Sequence, residues 1–343
     1  MRTLRAAGAP RGAVLGLGMI GRHHARLLQT SPRVVFAGAV DPGGDRFGAL
    51  HDACLLHPDV DGLLAAGRPD FAVVALPTEA HLPAVRRLAE AGVHVLVEKP
   101  LAASVSEAEE LIAAVRAAGV HAAVGHVERF NPALLALRER IEEVGEVVLV
   151  ATERVGPFPD RIRDVGVVKD LATHDLDIVR WLASSPVATV SAQTAHRMGR
   201  EHEDLVLVVG RLASEVPFTC TVDWLSPTKR RQSRVLGDRG MLVADTLSAD
   251  LTLFRNGSVT SEWTTAQALR GVSEGDATRF ALSRREPLLV ELEAFCDLLA
   301  GDEDAPVVTL EEGLEVVRCA EAVLASAAEG DAVRLAAAPA GAR

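Results

Sequence analysis

Apolar and polar positions follow two different patterns along the chain, and the change falls near residue 126. Before it, short apolar runs alternate with stretches of helical periodicity, which predicts strands alternating with helices. The predicted strands cover 13–15, 34–40, 71–76, 93–97 and 121–125, and the clearest predicted helices cover 79–92 and 106–118. Such alternation predicts an open parallel sheet that binds ligands at the carboxyl ends of its strands.

After residue 126, strand-like runs follow one another with only short turns between them. The predicted strands cover 147–155, 187–195, 205–212, 218–224, 234–236, 241–245 and 251–254, and the predicted helices cover 133–144, 288–299 and 310–328. This succession predicts a large open, mostly antiparallel sheet with one face covered. We therefore expect an α/β protein with one domain at 12–126 and a second at 127–330, between flexible tails at 1–11 and 331–343.

One predicted helix interrupts the second half early, and its polar residues are unusual. At 100° per residue, the segment 166–182 places Asp170, His174, Asp177 and Trp181 within an arc of about 60°. An imidazole beside carboxylates can carry a proton near neutral pH, so this arc predicts a catalytic site. The alternative is a solvated polar face with one incidental histidine.

Composition excludes several classes of function. The 343 residues, 48% hydrophobic and 24% charged, are typical of a globular protein. A net charge of -11 without a long basic run argues against nucleic acid or an anionic membrane as the main partner. The chain contains no tyrosine, which excludes a mechanism based on a catalytic Tyr-x-x-x-Lys pair.

Cysteine usage and hydropathy predict the compartment. The four cysteines are scattered, so neither a disulfide framework nor a metal site is expected, and His23 and His24 are expected to be exposed helix residues. No stretch is apolar enough for a signal peptide or a membrane span. We therefore expect a cytoplasmic protein.

A glycine-rich motif joins the first predicted strand to the first predicted helix, and an acid follows the second strand. Gly16 permits the tight turn, Gly18 lets the backbone approach a pyrophosphate, and Gly21 allows close packing of the helix. Asp41 is spaced to accept hydrogen bonds from the adenosine ribose, which favours NAD over NADP. The predicted cofactor contacts of the loop are Gly16, Gly18, Met19, Ile20 and Gly21.

Further polar residues lie at the predicted carboxyl ends of the parallel strands. Thr78, His81, Glu98 and Lys99 are predicted to contact the cofactor, and Lys99 is also placed to hydrogen-bond a substrate hydroxyl. The alternative for Lys99 is a surface lysine in a turn. His81 has an equally good interpretation as a residue of the first turn of its helix.

Cationic residues in the second half suggest an anionic substrate. Arg161 and Arg163 lie just upstream of the candidate catalytic helix and are predicted to bind a substrate such as a sugar nucleotide. The basic run 229–231 is predicted to lie in a turn and could also neutralise an anionic substrate, with a solvated loop as the alternative. A large sheet with an uncovered face predicts a homo-oligomer, either a dimer or a tetramer.

Three motifs occur together in the order found in one protein family. These are the loop 16–21, the tripeptide Glu98-Lys99-Pro100 and the pair Asp170-x-x-x-His174. With the change of domain between them, they resemble the glucose–fructose oxidoreductase / inositol dehydrogenase family over about residues 12 to 328. Finer matches at 125–132, 161–177 and 224–231 look like its UDP-N-acetylglucosamine 3-dehydrogenase branch.

The resemblance implies a Rossmann domain that binds NAD and a C-terminal α/β domain built on an open sheet. We expect this second domain to bind substrate and to form the oligomer. It implies a cis peptide bond before Pro100. Lys99, Asp170 and His174 match the family's catalytic positions, and Arg129 and Asn131 match positions near the substrate. Lys169, directly before Asp170, departs from the apolar residue more often found there.

The leading hypothesis is an NAD-dependent oxidoreductase that transfers a hydride between nicotinamide and a secondary alcohol or ketone of a sugar, with C3 of a UDP-N-acetylhexosamine as the specific expectation. His174 would take the hydroxyl proton, Lys99 would stabilise the oxygen, and Asp170 would orient one of them. Whether Lys99 or His174 is the base stays open. The alternatives are a cyclitol or aminosugar dehydrogenase, a ketosugar reductase, and a non-catalytic NAD-binding sugar sensor.

Overall fold

The computed structural model describes residues 8–159, 165–257 and 274–336. The chain divides into two compact units. The first unit comprises Met1–Val127 and Leu288–Arg318, and the second comprises Glu128–Pro287 and Cys319–Arg343. Among the described residues, no helix combines the length and the apolar character that a membrane span requires.

The first unit is built on a six-stranded sheet in which every neighbouring pair is parallel. Its strands are β1 (Arg11–Leu15), β2 (Val35–Val40), β3 (Leu56–His57), β4 (Phe71–Val74), β5 (His94–Glu98) and β6 (Ala122–Gly125), in the order β3-β2-β1-β4-β5-β6. The order reverses direction at β1, which places a ligand crevice at its carboxyl end. The predicted parallel sheet is confirmed.

Helices cover both faces of this sheet, because most side chains of its central strands are apolar and buried. The helices are α1 (Gly21–Thr30), α2 (Val60–Gly67), α3 (His81–Glu90) and α4 (Val105–Ala118). Every residue of β4 is buried, as expected for a strand covered on both sides. Ser104 begins α4 by accepting a hydrogen bond from the amide of Glu107, and Gly119 ends it in the left-handed conformation.

Among the residues that the structure describes, the second unit contains a nine-stranded sheet in which only β7 and β10 pair in parallel. Its strands are β7 (Val147–Pro157), β8 (Val187–Ala195), β9 (Leu205–Leu212), β10 (Pro217–Asp223), β11 (Leu225–Gly237), β12 (Gly240–Asp245), β13 (Asp250–Asn256), β14 (Glu274–Phe280) and β15 (Val333–Arg334), in the order β14-β13-β12-β11-β7-β10-β9-β8-β15. The prediction of a large, mostly antiparallel sheet is confirmed.

One face of the nine-stranded sheet is covered, and apolar side chains remain exposed on its strands. The covering helices are α5 (Pro132–Glu139), α6 (Thr173–Ala183) and the second half of α8 (Leu310–Glu329). Exposed apolar side chains on the strands are Val148, Leu207, Val209, Leu225, Leu236 and Phe254. The homo-oligomer stays a prediction.

Four features of the chain differ from the sequence-based expectation. The second domain was expected to be continuous from 127 to 330, but residues 288–318, with helix α7 (Pro287–Leu299) and the first half of α8, belong to the first unit. The reason is packing, since Leu288, Leu292 and Phe295 complete the apolar core on one face of the parallel sheet. Phe295 meets Phe71 edge-on, with ring centroids 5.7 Å apart.

The other three differences concern strands. Arg11 begins β1 and residues 333–334 form β15, so both lie in a sheet and not in the flexible tails to which they were assigned. The basic run 229–231 lies within β11, at a register shift against β7, and not in a turn. Strand β14 was missed because its residues are almost all exposed and show no apolar alternation.

Candidate functional site

The glycine loop of the first unit lies between β1 and α1 at the reversal of strand order. Gly16 has φ +88°, and a Cβ there would lie 2.5 Å from the carbonyl oxygen of Ala75. Gly18 is exposed, and among the described residues nothing lies within 4 Å of the position its Cβ would take. A Cβ at Gly21 would collide with the carbonyl oxygen of Gly16. Gly16 and Gly21 therefore permit the turn, and Gly18 leaves space for a phosphate at the start of α1.

Asp41 follows β2 directly and faces this loop. One carboxylate oxygen accepts a hydrogen bond from the amide of Leu17 at 2.8 Å, and the other accepts one from the amide of Gly43 at 2.8 Å. Asp41 is only partly buried. A carboxylate can accept about four hydrogen bonds, so this side chain retains acceptor capacity for the two hydroxyls of a ribose. Met19 and Ile20, between the glycines, are exposed.

His81 is more deeply buried than its predicted role as a cofactor contact requires. Its Nε2 lies 3.0 Å from the carbonyl oxygen of Leu76, and its Nδ1 lies 3.3 Å from that of Leu101. Burial lowers the pKa of His81, although both carbonyls act in the opposite direction. Both ring nitrogens therefore face backbone oxygens of their own unit, which supports the structural interpretation. Thr78 starts a short 3-10 turn and is partly exposed.

Glu98 ends β5, and both of its carboxylate oxygens have partners inside the unit. Its Oε1 lies 2.8 Å from Nε2 of His24, and its Oε2 accepts the backbone amide of Lys99 at 3.2 Å. Burial acts to raise the pKa of Glu98, but His24 and the nearby Lys99 outweigh it, and the pKa is lowered. Glu98 is thus a buried residue that connects His24 of α1 with the backbone of Lys99. Its predicted contact with the cofactor has no support in these bonds. The bond between Lys99 and Pro100 is cis, as the resemblance implied.

The sequence-based interpretation missed His24. It was expected to be exposed, like His23, but it is 1% exposed. The signal was present in helical spacing, because Gly21, His24, Ala25 and Leu28 recur along one stripe, and all four are buried. A histidine on an apolar stripe needs a buried partner. Here that partner lies 74 residues away in Glu98.

The candidate catalytic helix of the second unit begins irregularly. One π-helical turn covers Val168–Ala172, and α6 follows from Thr173. The start is fixed by Glu203, whose side chain accepts the amide of Val168 at 2.9 Å. A Cβ at Gly166 would collide with that carboxylate, so the approach requires glycine. Asp170 and His174 lie in this segment and are both partly buried.

Arg129 and Asp177 form a buried, two-pronged ion pair. Nε of Arg129 lies 2.8 Å from Oδ2 of Asp177, and Nη2 lies 2.5 Å from Oδ1. The guanidinium also lies 5.8 Å from the ring centre of Trp181. This geometry pairs the Arg129 side chain with α6, and the predicted contact of Arg129 with substrate has no support in these bonds. It agrees with a structural role for Asp177 and Trp181. The partner of Arg129 was not visible in the sequence because it lies 48 residues away.

Asn131 also has structural partners. Its side-chain oxygen accepts the amide of Ala133 at 3.0 Å, which caps α5, and its side-chain nitrogen donates to the carbonyl of Thr246 at 3.1 Å. The amide is therefore held from both ends. Its predicted contact with substrate has no support in these bonds. Arg161 and Arg163, the other predicted substrate contacts, lie outside the described residues.

The sequence-based interpretation also missed a buried network of charged residues. One member, Asp175, directly follows His174 in the chain. Arg154 donates to Asp175 at 2.7 Å and to Glu128 at 2.9 Å, and Arg231 donates to Glu128 at 3.2 Å. Burial raises the pKa of Asp175 although Arg154 opposes it. Burial lowers the pKa of Arg231, and the charge of Arg154 lowers it further. Of the basic run, Arg231 is thus partly buried in this network, while Lys229 and Arg230 are exposed.

Comparison with known proteins extends over nearly the whole chain. Residues 11–126 match the NAD-binding Rossmann fold of an oxidoreductase family, and residues 138–335 match the C-terminal alpha/beta domain of the same family. The chain is 27% identical over 292 residues to a UDP-N-acetylglucosamine 3-dehydrogenase of Acidithiobacillus ferrooxidans, which covers 84% of this chain and 88% of the relative. It is 30% identical over 332 residues to the myo-inositol dehydrogenase Hyg17 of Streptomyces leeuwenhoekii, with 93% and 97% covered.

A solved structure agrees with these matches. The structure of GenD2 from gentamicin A biosynthesis, in complex with NAD, superposes with a TM-score of 0.77 at 25% identity. The match covers 98% of this chain and 99% of GenD2. The relatives therefore share both domains with this chain but differ from one another in substrate.

Proposed function

Because the chain belongs to the GFO/IDH/MocA oxidoreductase family, we propose that it transfers a hydride between NAD and C3 of a UDP-N-acetylhexosamine. The enzyme class itself follows from the family and its members: the chain is an NAD-dependent dehydrogenase that acts on a sugar or cyclitol hydroxyl. The specific substrate is supported by the similarity to a UDP-N-acetylglucosamine 3-dehydrogenase over most of both chains. A cyclitol substrate is the second candidate, favoured by the 30% identity to a myo-inositol dehydrogenase.

The first unit contains a fitting set of groups for NAD. The open position at Gly18 and the amides at the start of α1 suit the pyrophosphate, and Asp41 suits the adenosine ribose. Nicotinamide would accept or supply the hydride. The protein's contribution is to bind the dinucleotide, to orient the sugar carbon and to move the hydroxyl proton.

We assign the transfer of the sugar hydroxyl proton to His174. In the oxidative direction His174 takes the proton of the sugar hydroxyl, and Lys99 donates a hydrogen bond to the oxygen and stabilises its developing negative charge. Asp170, on the turn before α6, orients the proton-handling group. Arg161 and Arg163 bind the anionic part of the substrate. Reversal of the same proton and hydride movements gives the reduction of the ketone.

A substrate panel tests the proposed function. Purified protein is assayed with NAD and UDP-sugars, free sugars, aminosugars or inositols, and NADH formation is followed by absorbance. We expect turnover of a UDP-N-acetylhexosamine, with oxidation at C3 identified by NMR of the product. Turnover of free inositol without any nucleotide sugar would refute the substrate assignment. Binding of NAD without turnover of any compound would favour the sugar sensor.

Replacing Asp41 by Asn is expected to weaken NAD binding about tenfold or more and to reduce the preference for NAD over NADP. The substitution removes the charge that attracts the ribose hydroxyls and repels a 2′-phosphate, and hydrogen bonds to a charged group contribute about 1.5–3 kcal/mol. Titration calorimetry with each dinucleotide measures both effects. Asp45→Asn is the control, because Asp45 accepts the amides of Ala49 and Leu50 in the neighbouring loop. Equal NAD affinity in the Asp41 variant and the wild type would contradict the assignment.

A further inference from the structure

A second acid approaches Glu98 from helix α7. Glu291 is 2% exposed, and it forms a buried cluster with His24 and Glu98 in which one polar atom of each residue lies within 4.8 Å of the others. Glu291 falls on the apolar stripe of α7 with Leu288, Leu292 and Phe295, where a carboxyl group has no packing purpose. The cluster therefore requires a chemical explanation.

In the part of the chain that the structure describes, neither carboxyl oxygen of Glu291 has a hydrogen-bond donor as its partner. An ionised carboxylate buried without a donor or a cation costs several kcal/mol. The negative charge of the Glu291 carboxylate must therefore be neutralised, either by a proton or by a metal ion. Burial raises the pKa of Glu291, and the adjacent Glu98 carboxylate raises it further.

The hydrogen bonds around Glu98 favour protonation of Glu291 over a bound metal ion. Glu98 has a lowered pKa and is ionised, so the 2.8 Å contact with Nε2 of His24 requires a hydrogen on that nitrogen. A nitrogen that carries this hydrogen cannot ligate a metal at the same time. The second oxygen of Glu98 accepts the amide of Lys99. The cluster is thus arranged as donors around one carboxylate and not as ligands around a cation.

We propose that Glu291 is held as a carboxylic acid that donates a hydrogen bond to Glu98, and that it is thereby a positioning residue for Lys99. Glu98 is the centre of this arrangement, since it holds the backbone of Lys99 on one side and His24 of α1 on the other. The Glu291 hydroxyl supplies a third donor from α7 and fixes the rotamer of the Glu98 carboxylate. The catalytic consequence rests on the proposed role of Lys99, while the protonation state of Glu291 does not.

Two substitutions at Glu291 show whether its role depends on a hydrogen-bond donor or on a negative charge. Glu291→Gln keeps the size and a donor, so kcat is expected to stay within about threefold of the wild type. Glu291→Met keeps the size but loses the donor, so kcat is expected to fall about tenfold or more, with a smaller change in the KM for the sugar. Glu293→Gln and Glu293→Met, on the less buried side of α7, are the controls and should leave both constants unchanged. Equal losses in the Gln and Met variants at 291 would overturn the proposal.

Infrared spectroscopy tests the acid without any substrate. The wild type at neutral pH should show the C=O stretch of a protonated carboxyl group, shifted in D2O and absent from Glu291→Gln. A spectrum without this band overturns the proposal, as does one bound divalent ion per chain that Glu291→Gln loses in elemental analysis. If the band is present and no sugar is turned over, the protonated acid stands and the proposed function fails.

Discussion

Turnover is expected to fall at least about a hundredfold when His174 is replaced by Ala, while NAD still binds. General base groups typically contribute about 10²–10⁴-fold, and removal of the imidazole leaves the hydroxyl proton without an acceptor. The measurement is kcat for the best substrate of the panel, followed by NADH formation, with NAD affinity from calorimetry. His196→Ala is the matched control, because His196 is an exposed histidine of the same unit.

The same experiment decides between the two candidate bases. A near-normal rate in His174→Ala would move the base role to Lys99. In that case Lys99→Met should abolish the reaction, and the pH dependence of kcat should change in the Lys99 variant and not in the His174 variant. Comparable losses in both single variants would indicate that the two groups act as one coupled unit.

Much of the fold could be predicted from the sequence because local patterns carry it. The run that became β4 is apolar without interruption, and the one that became β5 is interrupted only by His94, which is typical of strands covered on both faces. The glycine loop and Asp41 were predictable for the same reason, since their spacing reflects one local strand–turn–helix unit. Strand β14 was not predictable, because an exposed strand has no apolar alternation to detect.

The candidate site was harder to predict because its charged residues are paired over long sequence distances. His24 meets Glu98 over 74 residues, and Arg154 meets Asp175 over 21. Sequence periodicity shows that a polar residue lies on a buried stripe, but it does not show which partner neutralises it. The arc that contains His174 was therefore found, while the partners that hold its helix were not.

Arg129 is the clearest case of a buried residue whose partner sequence periodicity does not reveal. Its replacement has the largest expected effect on stability. Arg129→Met should lower the free energy of unfolding by about 3–5 kcal/mol, because it leaves the Asp177 carboxylate buried without its main counter-charge. The side chains of the pair are only 8% and 2% exposed, so water cannot replace the lost guanidinium. Denaturant unfolding followed by circular dichroism measures the change.

A double substitution distinguishes a buried ion pair from a substrate-binding arginine. Arg129→Met with Asp177→Leu removes both charges and should recover most of the lost stability, since well-packed apolar residues can replace a buried pair at little cost. Arg211→Met is the control, because its contact with Glu215 is exposed and such pairs contribute about 0–1 kcal/mol. A stable Arg129→Met variant with a strongly raised KM for the sugar would instead restore Arg129 to the substrate site.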